Sequence, residues 1–409
     1  MERLRIIVSG LIAQHYSLAG VTWDYVQYLI GLHRMGHEVY YFEDSGEWPY
    51  SLDGGPSGDQ WVAGDCRANT DYLRKLLGRY GLEDRWAYHF PTKKEWYGLS
   101  DRNRKSIMQS ADLLINVSGT LEKPEQYDRI KRLAYIDTDP GFTQARILAG
   151  NQRFCELIGA HQVHFSFGER IPPHLHRDGL EWLPTRTPIV LDLWPVRTNE
   201  SRTYTTVMSW TSYQPLVHNG ITYRQKDAEF IKYLGLPARC RGVKFEIAMG
   251  KLQHANWQST VSNPEIADST LPIGNFNSPH DMLQYCGWQV VDPLQRCGSP
   301  DSYRDYIVSS RGEWSVAKGG YVTARPAWFS CRSACYLAAA RPVIVQDTGF
   351  GDVLPVGEGI LPFSTIEESV EAIEEVERAY SRHSAKAREI AGEYFEASRV
   401  LQDLVERAL

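Results

Sequence analysis

Residues 311–350 constrain the fold more than any other stretch of this chain. A polar segment leads into an apolar run at 334–340. Pro342 then opens a β-branched segment at 343–345, which ends in a polar loop containing Gly349. Loop, helix, buried strand and loop in this order form one step of a parallel α/β sheet. Because such sheets bind ligands at the carboxyl ends of strands and the amino ends of helices, this stretch predicts a ligand site.

The amino-terminal segment shows the same alternation. An apolar strand is predicted at 4–9, and the chain breaks at Gly10. A helix follows in which Tyr25, Leu29 and Leu32 recur at helical spacing, and Gly36 ends it before a strand at 37–42. Further strands are predicted at 111–117, 133–136, 163–167, 203–209, 244–249, 288–291 and 343–345. Strands that alternate with helices in this way predict a doubly wound α/β protein.

The length and the distribution of proline predict two domains. A chain of 409 residues is long enough for two cores of ordinary size. Prolines crowd together between residues 172 and 195, where the apolar periodicity lapses. We therefore predict a first Rossmann-like domain at 1–190 and a second at 191–383. A final helix at 384–409 carries Ala387, Ile390 and Tyr394 at the spacing of a buried face.

Composition narrows the environment of the protein. A net charge of −6 argues against a general attraction to nucleic acid or anionic membranes. No apolar run approaches the length of a membrane span, and the first residues lead directly into a strand, so neither a signal peptide nor a membrane anchor is predicted. The seven cysteines are scattered without a Cys-x-x-Cys pair, which predicts reduced thiols and a cytoplasmic location.

Three features resemble a known family. The sequence Gly-His-Glu-Val at 36–39 closes the first helix, Ala-Arg-Pro-Val at 340–343 precedes Gln-Asp-Thr-Gly at 346–349, and the chain ends in a pair of helices. With these motifs the chain resembles glycosyltransferases of the two-Rossmann (GT-B) type over essentially its whole length. The resemblance implies two Rossmann-like domains that face each other across a cleft, with the C-terminal helix crossing back to the first domain. It also implies that the second domain holds a nucleotide-sugar and the first domain holds the acceptor.

One position departs from the family pattern. Retaining members usually have a glutamate seven residues before the proline of that strand, where it holds the donor. This chain has Cys335 there, and the partner glutamate earlier in the pattern is also missing. The stereochemical outcome of the reaction is therefore left open.

The leaving diphosphate of a nucleotide-sugar requires positive charge. Without a metal ion, that charge comes from helix amino-terminal N–H groups and from lysine or arginine. The predicted helix start at Ser330, Arg332 and Ser333 supplies both. The alternative is a helix cap with a solvent-exposed arginine.

Other residues could contact the donor phosphates. Arg311, Glu313 and Lys318 lie on the segment that enters the 311–350 unit, and Lys226 lies on the loop or helix start after the first strand of the second domain. Family members often present a phosphate-binding lysine or arginine near Lys226. The alternatives are a surface ion pair with Glu313 and an ordinary lysine on an amphipathic helix.

The loop after the 343–345 strand is the candidate sugar site. Asp347, Thr348 and Gly349 follow the strand directly, so their polar groups could reach sugar hydroxyls. The alternative is a tight turn that needs Gly349 for its backbone conformation.

His15 is the candidate catalytic base, because an imidazole in the first βα loop would project into the cleft and titrate near neutral pH. Asp139 and Asp137 compete with it. The Asp137-Thr-Asp139 fragment is similar to the metal-binding Asp-x-Asp of the single-domain glycosyltransferase fold, but its place after several strands argues against metal binding. A zinc site is not predicted either, because the tight ligand spacing it needs is absent among His161, His164, His174 and His176. No metal site is therefore predicted.

The sequence predicts a cytoplasmic, metal-independent glycosyltransferase. It would move a hexose or similar sugar from a nucleoside-diphosphate sugar such as a UDP-sugar to a hydroxyl acceptor, with no cofactor beyond that donor. A sugar-nucleotide epimerase of the same architecture is one alternative. A binding module that has lost catalysis is another.

The class of acceptor is open at this stage. A modified base in nucleic acid is one candidate, since a local basic cluster occurs. Its members are Lys93, Lys94, Arg102, Arg104 and Lys105. A solvated helix face is the favoured interpretation of this cluster.

Overall fold

The computed structural model describes residues 2–50, 64–198, 200–250 and 276–409. Within these ranges the chain forms two large sheets that are almost entirely parallel. The first sheet has the strand order β4-β3-β2-β1-β5-β6-β7-β8, and only the β3–β4 pair is antiparallel. Its strands are β1 Arg5–Ser9, β2 Glu38–Glu43, β3 Trp86–Phe90, β4 Glu95–Gly98, β5 Leu113–Val117, β6 Arg132–Asp137, β7 Val163–Ser166 and β8 Leu183–Pro184.

The second sheet is parallel throughout and has the order β13-β12-β9-β14-β15-β16. Its strands are β9 Thr203–Val207, β12 Lys244–Ala248, β13 Gln289–Val291, β14 Gly312–Ser315, β15 Val343–Gln346 and β16 Ile360–Phe363. A small antiparallel hairpin joins β10 Leu216–His218 to β11 Ile221–Tyr223. In both large sheets the chain starts in the middle and builds outward in two directions. Each sheet therefore has a topological switch point, between β1 and β5 in the first and between β9 and β14 in the second.

Helices cover the faces of the sheets and connect the strands. Those of the first half are α1 Ala19–Arg34, α2 Arg67–Gly78, α3 Asp101–Ser110, α4 Phe142–Leu148 and α5 Gln152–Gly159. Those of the second half are α6 Lys226–Phe230, α7 Leu236–Arg239, α8 Pro279–Tyr285, α9 Pro293–Cys297, α10 Pro300–Ser309, α11 Gly319–Ala324, α12 Cys331–Ala338, α13 Ile366–Arg378, α14 Tyr380–Ile390 and α15 Ala397–Ala408.

Burial on both faces explains why the parallel strands were recognisable in the sequence. Ile6, Ile7 and Val8 of β1 are all fully buried, because helices cover both sides of a doubly wound sheet. The second sheet has an aromatic core in which Trp314 packs against Phe245 and Phe363. Aromatic side chains therefore form part of the core of the second half.

The two halves pack directly against each other. The indole N–H of Trp23 in α1 donates to the carbonyl of Pro300 at the start of α10, over 3.0 Å. At a second contact between the halves, a Cβ on Gly320 in α11 would lie 2.3 Å from the ring of Phe142 in α4. Only a glycine allows the two helices to come this close.

The C-terminal helix crosses back to the first half, as the resemblance implied. The backbone N–H of Ala397 donates to the carbonyl of Ile189 (2.8 Å), and α15 packs on α1, where a Cβ on Gly31 would meet Leu401 at 2.4 Å. The single helix predicted at 384–409 is wrong in one respect. A π-helical turn, Ala391–Phe395, and an extended Glu396 separate α14 from α15.

The predicted domain boundary at residues 190/191 falls between β8 and β9, and the division into domains stays a prediction. Among the described residues, no helix has the length and apolar character needed to cross a bilayer.

Candidate active site

A cleft of about 320 Å³ lies between the two halves, at the switch point between β9 and β14. The amino end of α1 and the segment after β6 form one wall. The carboxyl end of β9, the loop after β14 and the start of α12 form the other. Its lining comprises Gly20, Val21, Asp24 and Thr138 from the first half, and Val207, Met208, Ser209, Ser212, Lys226, Tyr303, Lys318, Tyr321, Trp328, Ser330, Cys331 and Arg332 from the second. Ligands of open α/β sheets bind in this position.

Lys226 brings an uncompensated positive charge to the cleft. It is the first residue of α6 and is half-buried, and none of the described residues forms an ion pair or hydrogen bond with its ammonium group. Burial and the nearby Arg332 guanidinium lower the pKa of Lys226 well below its ordinary value, although the Glu313 carboxylate opposes them. Because a cation withdrawn from water is unfavourable without a counter-charge, this site favours the arrival of an anion.

The amino terminus of α12 opens onto the same cleft. Ser330 is its N-cap residue, and no side chain caps the helix. Ser330, Cys331 and Arg332 line the cleft, and the next residue, Ser333, is buried beneath it. The first-turn N–H groups of a helix lack intrahelical acceptors and carry a partial positive charge. The predicted helix start therefore lies at the cleft, and its contact with a phosphate stays a prediction.

Arg332 is held by its own half of the protein rather than left free. Its guanidinium donates to Glu313 Oε1 (2.6 Å), to the Val207 carbonyl (2.7 Å) and to Ser315 Oγ (2.7 Å). Glu313 is fully buried, so it cannot reach a ligand and serves to hold Arg332. Arg332 still lines the cleft, but three of its five N–H donors are in use.

Arg311 lies outside the cleft. It precedes the amino end of β14, whereas the cleft lies at the carboxyl end of that strand. Its guanidinium forms a two-point ion pair with Glu377 (2.7 and 2.9 Å) and stacks 3.5 Å from the centre of the Tyr380 ring. The structure thus separates Arg311 from Lys318, because β14 runs between them.

Lys318 links the two halves through Asp139. Its Nζ donates to Asp139 Oδ1 (2.9 Å) and to the Tyr213 hydroxyl (3.1 Å). The hydroxyls of Tyr213 and Tyr321 also donate to the Asp139 carboxylate. Asp139 is therefore occupied by three donors from the second half, which leaves it poorly suited to take a proton from an acceptor. Lys318 lines the cleft with its charge already compensated.

Asp137 is occupied in the same way. Its carboxylate accepts from Thr143 Oγ1 (2.7 Å), Gln144 Nε2 (2.9 Å) and Ser166 Oγ (2.9 Å). Burial raises the pKa of Asp137, and these hydrogen bonds oppose the rise. Because protein donors occupy the oxygens of both aspartates, the Asp-x-Asp fragment offers no open carboxylate pair for a cation. No metal-binding group of three or more His, Cys, Asp or Glu side chains occurs in the part of the chain that the structure describes.

His15 is half-buried in the loop after β1, and burial lowers its pKa to about 4. An imidazole of this pKa is neutral at pH 7 but a weak base. It is not among the residues that line the cleft.

Sequence reasoning missed Asp24, which does line the cleft. It lies in α1 between the buried Trp23 and Tyr25, and burial raises its pKa to about 7 against the opposing effects of Cys331 and Arg332. Such a carboxyl can hold or release a proton at neutral pH. A lone acid inside an otherwise apolar helical run was the available signal.

The predicted sugar loop is used to hold its own turn. Asp347 accepts from the Arg325 guanidinium (2.8 Å) and from the backbone N–H of Gly349 (2.8 Å). Thr348 is buried and donates to the carbonyl of Trp328, and Gly349 has a φ of +89°. These three residues do not line the cleft. These contacts fit the tight-turn interpretation, but Thr348 also lines a small pocket that adjoins the cleft, so a role of the loop in sugar binding stays a prediction.

Three further pockets adjoin the cleft. A small one shares Trp328, Ser330 and Arg332 with it, and Ser333 and Thr348 also belong to its lining. An apolar pocket of about 290 Å³ shares Gly20, Val21, Tyr303 and residues 207–209 with it. On the other side, a polar pocket of about 300 Å³ shares Thr138, Lys318 and Tyr321 with it. The polar pocket is lined by Ser118, Tyr135, Asp137, Thr138, Asp139, Thr143, Arg146, Phe154, Lys318 and Tyr321. Each of these pockets therefore shares a wall with the cleft.

The members of the basic cluster predicted near residue 100 lie on different elements. Lys93 and Lys94 lie in the turn before the antiparallel strand β4, and Arg102 lies beyond the far end of that strand. Arg104 pairs with Asp101 (2.8 Å) and stacks on Trp96. The strand therefore separates residues that are neighbours in the sequence.

Cys335 occupies the position of the missing family glutamate, so this position holds no carboxylate. Cys335 is buried on α12, and burial raises the pKa of its thiol. The structure therefore has no substitute for that carboxylate at this point of the helix.

Two Rossmann-like sheets, a cleft at the switch point and a returning C-terminal helix define the GT-B fold. No family model matches the chain, and no curated protein matches it. Among solved structures, the chain is similar to an alpha-glucosyltransferase in complex with UDP and a 13-mer DNA containing a central A:G mismatch (14% identity, 100% of both chains, TM-score 0.57). It is also similar to Anabaena Alr3699/HepE in complex with UDP and glucose (10% identity, 99% of both chains, TM-score 0.52). A third similar structure is that of sucrose-phosphate synthase from Thermosynechococcus elongatus (10% identity, 99% of this chain and 98% of that chain, TM-score 0.51).

At these identities the similarity establishes the fold alone. The prediction of two Rossmann-like halves facing across a cleft is confirmed.

Proposed function

We propose that this protein transfers a sugar from a nucleoside-diphosphate sugar to a hydroxyl acceptor. One observation carries the proposal: the unpaired Lys226 and the uncapped start of α12 converge on a single cleft between the two halves. A diphosphate placed there would receive a charge-assisted hydrogen bond from the lysine and several from helix N–H groups. These interactions strengthen as charge develops on the leaving diphosphate, which is how they accelerate transfer.

The neighbouring cavities suit the rest of the donor and the acceptor. The apolar pocket, with Met208, Leu294 and Tyr303 in its lining, matches a nucleoside, and the polar pocket matches an acceptor. Because both adjoin the phosphate-binding cleft, the transferred sugar would lie at the shared wall formed by Thr138, Lys318 and Tyr321. We assign to Asp24 the proton that the leaving phosphate takes up, since its carboxyl lies in the same cleft.

The proposed reaction is independent of metal, since lysine and helix N–H groups supply the positive charge. We also propose a cytoplasmic location, which the seven unpaired cysteines support. Turnover should then persist in the presence of EDTA.

The direct test is calorimetric titration with UDP, dTDP and GDP, followed by turnover of the corresponding glucose donors. We expect one nucleotide to bind and its sugar to be consumed only when an acceptor is present. Conversion of the donor without an acceptor would favour the epimerase. Tight binding without transfer or hydrolysis would favour the binding module, and no response to any nucleotide would refute all three.

A nucleic acid acceptor is the second candidate, because a structure similar to this chain holds UDP together with DNA. The net charge of −6 argues against it here. A mobility shift with duplex DNA that weakens steeply between 50 and 200 mM salt, roughly as counterion release requires, would support it.

A further inference from the structure

Arg146 is a second cation without a carboxylate partner. It lies on α4, is half-buried and lines the polar pocket. No hydrogen bond or ion pair joins its guanidinium to any residue that the structure describes. Instead, its guanidinium lies 4.9 Å from the centre of the Tyr213 ring and 5.8 Å from that of Phe154. Stacking on aromatic rings orients an arginine while leaving its N–H donors available.

The two carboxylates that line this pocket do not form an ion pair with Arg146. Asp137 is occupied by Thr143, Gln144 and Ser166, and Asp139 is paired with Lys318. Both carboxylates are therefore satisfied by groups that the protein itself supplies. Among the described residues that line the pocket, the positive charge still without a partner belongs to Arg146.

The rest of the pocket is suited to a small polar molecule. Its volume is about 300 Å³, and the hydroxyls of Ser118 and Thr138 lie 2.7 Å apart on its wall. The wall formed by Thr138, Lys318 and Tyr321 faces the donor cleft, whereas Arg146 does not line that cleft. A molecule anchored at Arg146 would thus present another part of itself to the donor.

We propose that Arg146 binds an anionic group, a phosphate or a carboxylate, on a small acceptor such as a sugar phosphate or a uronic acid. The planar guanidinium offers two parallel N–H donors, which match either anion in a two-point contact. The proposal rests on the proposed function, because it identifies the acceptor by the group that the polar pocket recognises. The competing interpretation is that Arg146 only packs against its two rings.

The test compares acceptors that differ only in the anion. With the donor identified by nucleotide titration, transfer to glucose 6-phosphate and to glucuronate is compared with transfer to glucose. We expect at least one anionic acceptor to exceed glucose in kcat/KM by about tenfold or more, as one charge-assisted contact implies. Preference for phosphate or for carboxylate identifies which anion the pocket takes.

Arg146→Met removes the charge while keeping a side chain of similar length. Arg146→Lys keeps the charge but lacks the two parallel N–H donors of the guanidinium. Arg153→Met is the control, because Arg153 is exposed on α5 and does not line the pocket. We expect Arg146→Met to lower kcat/KM for the anionic acceptor about 10- to 100-fold through KM, with Arg146→Lys between it and the wild type. Arg153→Met should leave nucleotide affinity, turnover of glucose, transfer to the anionic acceptor and the unfolding temperature unchanged.

A binding measurement makes the test independent of turnover. Glucose 6-phosphate and glucuronate are titrated into the nucleotide-bound protein, and inorganic phosphate is used as a competitor. Loss of this binding in Arg146→Met supports the proposal. Equal losses for glucose and for the anionic acceptors, no binding of either anion, or transfer to DNA alone would overturn it. Failure of every nucleotide to bind would instead refute the proposed function, and the two failures are therefore distinguishable.

Discussion

The substitution Lys226→Met tests the proposed phosphate site most directly. The lysine is half-buried at the start of α6 and has no ion-pair or hydrogen-bond partner among the described residues. Methionine fills a similar volume without the charge. A diphosphate in the cleft would then lose one charge-assisted hydrogen bond, while the start of α12 and the position of Arg332 would be unaltered.

The size of the effect follows from the nature of that contact. A hydrogen bond to a charged group contributes about 1.5–3 kcal/mol. At about 1.4 kcal/mol for each factor of ten, this predicts UDP binding that is roughly 10- to 150-fold weaker. Calorimetric titration of both proteins with UDP measures the difference.

The same substitution should weaken UDP binding without lowering the stability of the fold. Burial and Arg332 lower the pKa of Lys226, so the folded state disfavours its ammonium form. That penalty is full below the lowered pKa of the folded protein, shrinks as the pH rises from there towards the ordinary pKa, and is absent above the ordinary pKa. At pH 7 the Lys226→Met protein should therefore unfold at the same temperature as the wild type or at a higher one.

Lys232→Met is the matched control. Lys232 is six positions further along the chain, pairs with Glu229 (2.8 Å) and does not line the cleft. Its removal should leave the affinity for UDP unchanged. A folded Lys226→Met protein that binds UDP as tightly as the wild type, or an equal loss in Lys232→Met, would refute the assignment of the phosphate site.

Three further predictions concern the cleft and its walls. Because Asp24 has a pKa of about 7, UDP affinity should fall as the pH rises from 6 to 8.5 and the carboxylate gains charge. Asp24→Asn should flatten this profile in calorimetry. Asp139→Asn should reduce the free energy of unfolding in urea by about 1–3 kcal/mol, since three donors lose a charged acceptor; an unchanged midpoint would contradict this. Gly320→Ala should cost about 1–3 kcal/mol in the same assay through its clash with Phe142, whereas Gly235→Ala, which has open space around it, should be nearly neutral.

Elements that rest on local patterns were predictable. β1, β5 and β15 are apolar runs bounded by glycine, proline or polar loops, and the structure contains a strand at each. Parallel strands covered on both faces need such continuous apolar runs, so the sequence records them directly. The antiparallel strand β4 escaped notice, because its residues are half-buried or exposed and show no apolar run.

The candidate site was predictable in its place but not in its contacts. Residues near Ser330 and Lys226 do line one cleft, whereas Arg311 and Asp347 do not. The partner of Arg311 is Glu377, and these two residues are 66 positions apart in the chain. No local pattern reveals a pairing across that separation.

The amino-acid sequence by itself determined the alternation of buried strands and helices, and hence two parallel sheets whose carboxyl edges could bind a ligand. Only the tertiary structure decided which charges remain without partners. Arg332 forms an ion pair with Glu313, while no ion pair joins Lys226 or Arg146 to a carboxylate in the part of the chain that is described. The physical reason is that apolar periodicity is a property of neighbouring residues, whereas the compensation of a charge depends on groups that folding brings from distant parts of the chain.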